Sequence, residues 1–342
     1  MQALVLAGGE GTRLRPLTLS VPKPVMPLAG RPFLTFMLDW LAAHGVDEAI
    51  LSCGFLSDGV ERVLGHRHGS VALRYVVEDE PLGTAGPVRL AHDRGLLSDR
   101  FVVLNGDALT DLDLTAEIAQ HEKTRAAATL ALIPVKDTTS YGVVPTAPDG
   151  RVEAFLEKSA GPAPTNRINA GAYVLEREVV MRIPPGRAVS FEREVFPAMI
   201  DEGLYGYMAT GYWIDIGTPE RYLEATHDLL ADRVRSNLPP RDETGSLIGE
   251  GCITSGARVG PMSVLGRHCS VGDGSTVERS VLFDDVRVGS GCSVVGAVLA
   301  EGVRVGDGAR IEEMAIVGAR ATVAPRAHVP PHARVEPEET VE

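Results

Sequence analysis

Several things are missing from this chain, and each absence excludes something. No apolar run approaches the roughly 18 residues of a membrane-spanning helix. The N-terminus has neither the basic start nor the longer apolar core of a signal peptide, because Leu6 runs straight into a glycine-rich loop. Cysteine is scarce. The four present, Cys53, Cys252, Cys269 and Cys292, show no C-x-x-C spacing. Buried thiols in a reducing cytoplasm are therefore expected. Positive charge is in deficit, with a formal net charge of −13, so neither nucleic acid nor an anionic membrane is the expected partner.

What is present begins at the first loop. Ala3-Leu4-Val5-Leu6 reads as a buried strand and a helical pattern starts near Leu34, with LAGGEGTRLRPLTLSVPKPVMPLAGRP spanning residues 6–32. Glycines let backbone N–H groups approach phosphate oxygens, and cations answer several negative charges at once. Arg13, Arg15, Lys23 and Arg31 gather there, a basic pocket in an acidic protein that suits a small, highly charged anion. No Gly-Lys-Ser/Thr follows, so the loop is not a Walker A motif. Gly9 and Gly11 fit the first half of the dinucleotide fingerprint, but Leu14 stands where its third glycine belongs. An ordinary strand-to-helix turn is the alternative for the glycines alone.

At 342 residues, two domains are expected, and 44% hydrophobic content is ample for a core. Up to about residue 232, strand candidates at 49–53, 101–104 and 128–133 alternate with helical patterns at Phe33–His44, Ala85–Asp93 and Thr115–Lys123. Such alternation predicts an α/β domain, a mostly parallel twisted sheet with helices on both faces. Ligands bind at the carboxyl ends of the strands in such sheets, where the glycine loop and Asn105-Gly106-Asp107 both fall. Residues 233–246, with Pro239-Pro240, read as a linker. From there the period becomes six: Leu247, Ile253, Val259, Leu265, Val271, Val277 and Phe283, then, after a five-residue step, Val288 and Val294, and after another slip Val305, Ile311, Val317, Val323 and Val329. This hexapeptide repeat predicts a parallel β-helix over 247–331, with 332–342 an acidic tail. Cys269 and Cys292, four residues after a register aliphatic, are expected as small inward fillers. Exposed coil ends favour a homo-oligomer, a dimer or tetramer.

Two aspartates stand out after the loop. Asp107 and Asp215 each lie near the end of an apolar segment and beside or near a glycine. Hard carboxylates of this kind suit Mg²⁺ held together with substrate phosphates, and turn formation is the alternative for each. His44, His92 and His121 sit in polar, helix-like contexts and read as surface residues.

The full loop string resembles the signature of sugar-1-phosphate nucleotidyltransferases, and further motifs follow in that family's order over about the first 225 residues. The resemblance implies a Rossmann-like catalytic domain, 1–232, and a left-handed sense for the β-helix. It implies that Leu6, Ala7, Gly8, Gly9, Gly11 and Thr12 line the nucleotide site. Pro22-Lys23-Pro24 is similar to the family's lysine motif, so Lys23 would contact the α-phosphate or pyrophosphate, and Arg13 the β- and γ-phosphates. Arg15 is placed similarly, although an exposed surface arginine explains it equally well. Asp107 and Asp215 would hold Mg²⁺, with Arg13, Lys23 and Asp107 as the catalytic group. Glu78-Asp79-Glu80-Pro81-Leu82-Gly83-Thr84-Ala85-Gly86-Pro87 resembles the base-binding loop, which gives Glu78, Pro81, Gly83 and Thr84 to the nucleotide together with Gly106. Phe155-Leu156-Glu157-Lys158, Tyr141-Gly142 and Asn169-Ala170-Gly171 resemble the sugar-phosphate motifs, so Tyr141, Gly142, Glu157, Lys158, Asn169 and Gly171 would bind the sugar 1-phosphate.

Near Glu78, thymidylyl- and uridylyltransferases commonly carry a glutamine. A carboxylate only accepts, and guanine offers adjacent N1–H and N2–H₂ donors. This residue, the GTAGP string and Ser190-Phe191-Glu192-Arg193-Glu194-Val195-Phe196-Pro197 look most like mannose-1-phosphate guanylyltransferases. GTP and mannose 1-phosphate are the expected substrates. Alternatives are a thymidylyl- or uridylyltransferase acting on glucose 1-phosphate, a guanylyltransferase for another hexose or cyclitol phosphate, or a regulatory nucleotide-sugar-binding subunit. An added acyltransferase activity lacks support, since His268, His328 and His332 have no acyltransferase context.

Overall fold

A computed structural model describes the chain apart from Phe55, Ser140, residues 157–162 and Ser255. The residues fall into two compact units. One comprises Met1–Gly9 and Met37–Trp213, the other Glu10–Phe36 and Ile214–Glu342.

The first unit is built on an eight-stranded sheet. Gln2–Leu6 lies inside it, parallel to Glu48–Cys53 on one side and to Arg100–Asn105 on the other. Ala3, Leu4 and Val5 are all fully buried, as a strand covered on both faces requires. Val71–Val77 continues the parallel run beyond Glu48–Cys53, and Leu204–Met208 is parallel to Ala128–Pro134. The long strand Arg167–Glu176 enters antiparallel between Arg100–Asn105 and Ala128–Pro134. Its pairing shifts between Asn169 and Tyr173, a bulge at the end nearest the candidate site. Helices Leu34–Ala43, Gly86–Asp93 and Leu114–Thr124 match the expected ones to within about two residues at each end. The last is capped by Asp113, whose carboxylate accepts the Ala116 N–H at 3.0 Å.

His121 departs from expectation. It is wholly buried, with Nδ1 2.9 Å from the Thr129 hydroxyl and Nε2 3.1 Å from Glu176. Burial pushes the imidazole pKa down. Its helix turns Leu114, Glu117 and His121 inward together, the spacing of one helical face.

The second unit holds the left-handed parallel β-helix, among the described residues three ladders of six, five and five short strands. The inward column runs Leu265, Val271, Val277, Leu282, Val288, Val294, Leu299, Val305, Ile311, Val317, Val323, Val329 and Val335. The five-residue steps therefore fall at Val277–Leu282 and Val294–Leu299, and Leu282, not Phe283, takes the inward place. Leu247 and Ile253 pair with Val264 and Ser270, each one residue before an inward aliphatic, so both are out of column. Cys269 and Cys292 are buried inside the coil as free thiols, and burial pushes the Cys269 pKa up to about 12. The acidic segment 332–342 carries two further coil strands, Arg334–Val335 and Thr340–Val341.

One ladder is also apolar on its outer side. Val264, Val281, Val298 and Ile316 are all buried, and helix Pro219–Leu230 of the same unit reaches the coil where His227 meets the Arg279 carbonyl at 3.2 Å. The outward positions of the other two ladders are Arg, Ser, Thr and His.

Candidate active site

In the second unit, the loop after Gly9 folds into single turns at Thr12–Leu14 and Lys23–Val25. The Thr18 hydroxyl donates to the Gly11 carbonyl at 2.9 Å. The Lys23 stem packs against Gly11, and Lys23 is only 8% exposed. A basic side chain held this far in, with its amine on a fixed stem, is pre-organised for an anion. Gly217 is crowded by both Arg13 and Asp215: a Cβ there would lie 2.5 Å from Arg13 Nη2 and 2.9 Å from Asp215 Oδ1, so a larger residue would displace one of them. Arg15 instead makes an exposed ion pair with Glu10 at 3.1 Å, the kind that contributes little.

In the first unit, Leu6, Ala7, Gly8 and Gly9 leave the central strand, and Gly106 and Asp107 leave its neighbour. Ala7 donates to the Ser52 carbonyl at 2.8 Å and Gly106 to the Leu6 carbonyl at 2.9 Å. The two strand ends are thereby tied at one edge, as parallel-sheet geometry requires of a binding crevice. Glu78 is held against Gly8. Its Oε1 accepts the Ser52 hydroxyl at 2.8 Å, its Oε2 accepts the Leu82 N–H at 3.1 Å, and a Cβ on Gly8 would meet Oε1 at 2.9 Å. The carboxylate is oriented, and each oxygen keeps a lone pair for a further donor. Pro81 and Gly83 are exposed on the same loop, which the Val189 backbone pins through Leu82 and Ala85.

Beside this edge opens a cavity of about 670 Å³. Tyr141, Gly142 and Asn169, three of the expected sugar-phosphate residues, line it together with Asn105, Glu192 and Arg193. Gly171 has φ +73° and a Cβ there would collide with the Asn105 side chain, so this glycine admits Asn105 to the wall. Tyr141 packs edge-on against Trp213, centroids 6.0 Å apart, and Trp213 Nε1 donates to the Ala170 carbonyl at 2.8 Å. Thr84 does not face the nucleotide loop alone. Its hydroxyl donates to Glu192 at 2.8 Å and accepts the Phe191 N–H at 2.9 Å. Glu157 and Lys158 lie outside the described residues. Asn105, Ser52, Tyr173 and Trp213 received no role from the sequence. Only Asn105 carried a signal, as the first residue of Asn-Gly-Asp at a strand end.

Among the described residues no group of three or more His, Cys, Asp or Glu could cage a metal. Asp107 in the first unit and Asp215 in the second each offer hard carboxylate oxygens, the donor type that Mg²⁺ takes together with substrate phosphates and water. The residues fit that ion better than a softer one.

The first unit, with an oriented carboxylate at a sheet edge and a polar cavity beside it, and the second, with a glycine loop bearing the buried Lys23, each carry features of an enzyme that handles a phosphorylated nucleotide and a second polar substrate. The chain belongs to the nucleotidyl transferase family, whose model matches residues 2–232. Enzymes of this family generally work with a divalent metal. Residues 241–329 match the EIF2B subunit epsilon LbH domain. The chain is 43% identical over 269 residues to a mannose-1-phosphate guanylyltransferase of Mycobacterium tuberculosis, covering 78% of this chain and 73% of the relative. It is 37% identical over 269 residues to a mannose-1-phosphate guanyltransferase of Schizosaccharomyces pombe, covering 76% and 73%. HddC from Yersinia pseudotuberculosis, solved in complex with GMP-PN, superposes with a TM-score of 0.55 at 28% identity, over 67% of this chain and 99% of HddC. No helix among the described residues is long and apolar enough to cross a membrane.

Proposed function

We propose that this chain is a mannose-1-phosphate guanylyltransferase, joining GTP and mannose 1-phosphate into GDP-mannose with release of pyrophosphate. The observation that carries the reading is the cavity at the sheet edge, lined by Tyr141, Gly142 and Asn169 and by Asn105, the last residue of the strand that precedes Asp107. Two relatives named for mannose 1-phosphate and guanylyl transfer, and a solved relative complexed with GMP-PN, support guanine and mannose in particular.

Residues 1–232 carry the chemistry, joined through 233–246 to the β-helix. Arg13 and Lys23 offset charge on the triphosphate and on the leaving pyrophosphate. Glu78, oriented by Ser52 and Leu82, accepts from guanine N1–H and N2–H₂. Tyr141, Gly142, Asn169 and Gly171 shape the sugar pocket. Glu157 and Lys158 are assigned to the sugar and its phosphate on the resemblance alone. On the family resemblance, Asp107 and Asp215 would hold Mg²⁺, which would supply charge neutralisation at the phosphoryl oxygens. The attacking phosphate oxygen is ionised at neutral pH, so these residues have no proton to remove. Their contribution is placement and electrostatic stabilisation. Free thiols suit a reducing cytoplasm, and the open ends of the coil suit a homo-oligomer, which light scattering on the full chain would test.

Pyrophosphate release, measured with GTP, ITP, UTP and dTTP against mannose 1-phosphate and glucose 1-phosphate, tests the reading. GTP with mannose 1-phosphate should give the highest kcat/KM, and ITP, lacking the N2 amine, should fall roughly tenfold or more below GTP. Preference for UTP or dTTP with glucose 1-phosphate would replace this assignment with the thymidylyl- or uridylyltransferase one. Equal use of GTP and ITP would remove the role of Glu78.

A further inference from the structure

One carboxylate joins the loop expected to hold the base to the pocket expected to hold the sugar. Glu192 lies in the turn Phe191–Val195, and both of its oxygens are engaged. Oε2 accepts the Thr84 hydroxyl at 2.8 Å and the Ser190 hydroxyl at 2.7 Å, while Oε1 accepts the Tyr173 hydroxyl at 2.9 Å. Tyr173 in turn accepts from Asn169 Nδ2 at 2.8 Å, and Asn169 Oδ1 accepts the Gly171 N–H at 2.9 Å.

The polarity of this chain is forced at both ends. A carboxylate only accepts, so the Tyr173 hydroxyl must spend its proton on Glu192 and can only accept from Asn169. A backbone N–H only donates, so Asn169 Oδ1 must face Gly171. The amide orientation is thus fixed by its partners. Because Asn169 lines the cavity, its second N–H is the donor it can offer a hydroxyl oxygen there. Asn169 and Glu192 both line that cavity. Tyr173 is fully buried and cannot touch a ligand itself, and its ring packs edge-on against Phe191 and Phe196 at 5.7 and 5.0 Å. On the other side, Thr84 is clamped between Glu192 and the Phe191 N–H, which fixes where Gly83 and Thr84 present their backbone.

We propose that Glu192 is a positioning residue that sets both substrate sites at once, holding the base loop through Thr84 and aligning the sugar-binding amide of Asn169 through Tyr173. This rests on the guanylyltransferase reading above. Glu192 acts through other residues. Its loss should therefore disturb both Michaelis constants, whereas cutting one arm should disturb only the substrate at the end of that arm.

The test uses the full-length enzyme and three variants, with KM for GTP and for mannose 1-phosphate measured separately at saturating co-substrate. Tyr173→Phe keeps the buried ring and removes only the link, and should raise KM for mannose 1-phosphate about tenfold while KM for GTP stays within about twofold. Thr84→Val should do the reverse, raising KM for GTP about fivefold or more. Glu192→Leu should raise both. Thermal melts of each variant establish that it folds. A melting point lowered with both constants unmoved would reduce Glu192 to a structural role and overturn the proposal. So would Tyr173→Phe raising both constants by the same factor, a result that needs no folded Glu192→Leu protein. Failure of the parent to form GDP-mannose would strike the proposed function instead, whereas an active parent with unmoved variants strikes only the role of Glu192.

Discussion

The sheet-based unit and the β-helix bury polar groups by opposite means. In the coil, one arrangement is repeated. Ser246, Ser263 and Ser280 are buried at one corner, 17 residues apart, and each hydroxyl accepts the N–H of the residue 17 positions on, at 3.0, 3.5 and 3.1 Å. Cys252, Cys269 and Cys292 each direct Sγ at a carbonyl 14 residues on. In the sheet unit the buried polar networks each differ from the next. Glu192, Tyr173 and Asn169 form one chain, His121 and Glu176 another, and Glu78 is seated by Ser52 and Leu82. Glu117 goes further. It is 2% exposed, and among the described residues its Oε1 has no hydrogen-bond partner. The lesson is that repetition satisfies the backbone and yields stability, whereas single-use networks fix particular atoms in particular places, which is what chemistry needs.

That contrast can be broken at three points. The largest effect belongs to the aspartates. Asp107→Asn and Asp215→Asn should each fold with melting points near the parent and lose on the order of a hundred- to a thousandfold in kcat, since each removes one hard anionic donor. Near-parental turnover in both would show that neither holds the metal. Next is Ser280→Ala, which strips the Ala297 N–H of its acceptor in the dry coil. It should cost about 1–3 kcal/mol of stability, seen in chemical or thermal unfolding, with kcat and both Michaelis constants unchanged. A change in kinetics would show that the coil is no passive support. The smallest effect is at Glu117, whose pKa burial raises well above the ordinary value of 4.5. The folded state then holds a proton that the unfolded chain releases. Its stability is full below about pH 4 and declines as pH rises toward the raised pKa. Glu117→Gln keeps the shape without the titration, so the melting-point difference, variant minus parent, should widen by about 2 °C or more between pH 5 and pH 8. A difference that is flat with pH would mean that Glu117 titrates alike in both states.

Much of this was legible along the chain. The alternation of strands and helices in the first 232 residues needed only period and turn chemistry, and the glycine loop, Asp107 and Asn169 are local strings. The coil was legible as a period of six, but its phase slipped at Val281-Leu282-Phe283. Three apolar residues in a row give no alternation to read, and Val281 is buried from outside by the unit's own cover. His121 was misread because Gln120, Glu122 and Lys123 surround it in sequence. The inward face is set by Glu117 and Leu114, at i−4 and i−7, and a buried glutamate advertises nothing apolar. The chain Thr84–Glu192–Tyr173–Asn169 was invisible for another reason. It joins positions up to 108 residues apart, and only the sheet brings them into reach.

The 17-residue hydroxyl ladder also constrains how this protein can change in length. A corner serine finds its N–H only if the next turn of the coil returns to the same place, so a single inserted residue must be absorbed within a loop or it rotates every side chain beyond it. A complete turn, by contrast, brings its own inward aliphatics and its own donors and leaves a top edge identical to the one it covered. Growth and shortening of the second unit should thus come in whole turns, each lengthening the coil by about 4.8 Å. The coil is a ruler graduated by its turns, and relatives of this chain should differ in the number of those turns.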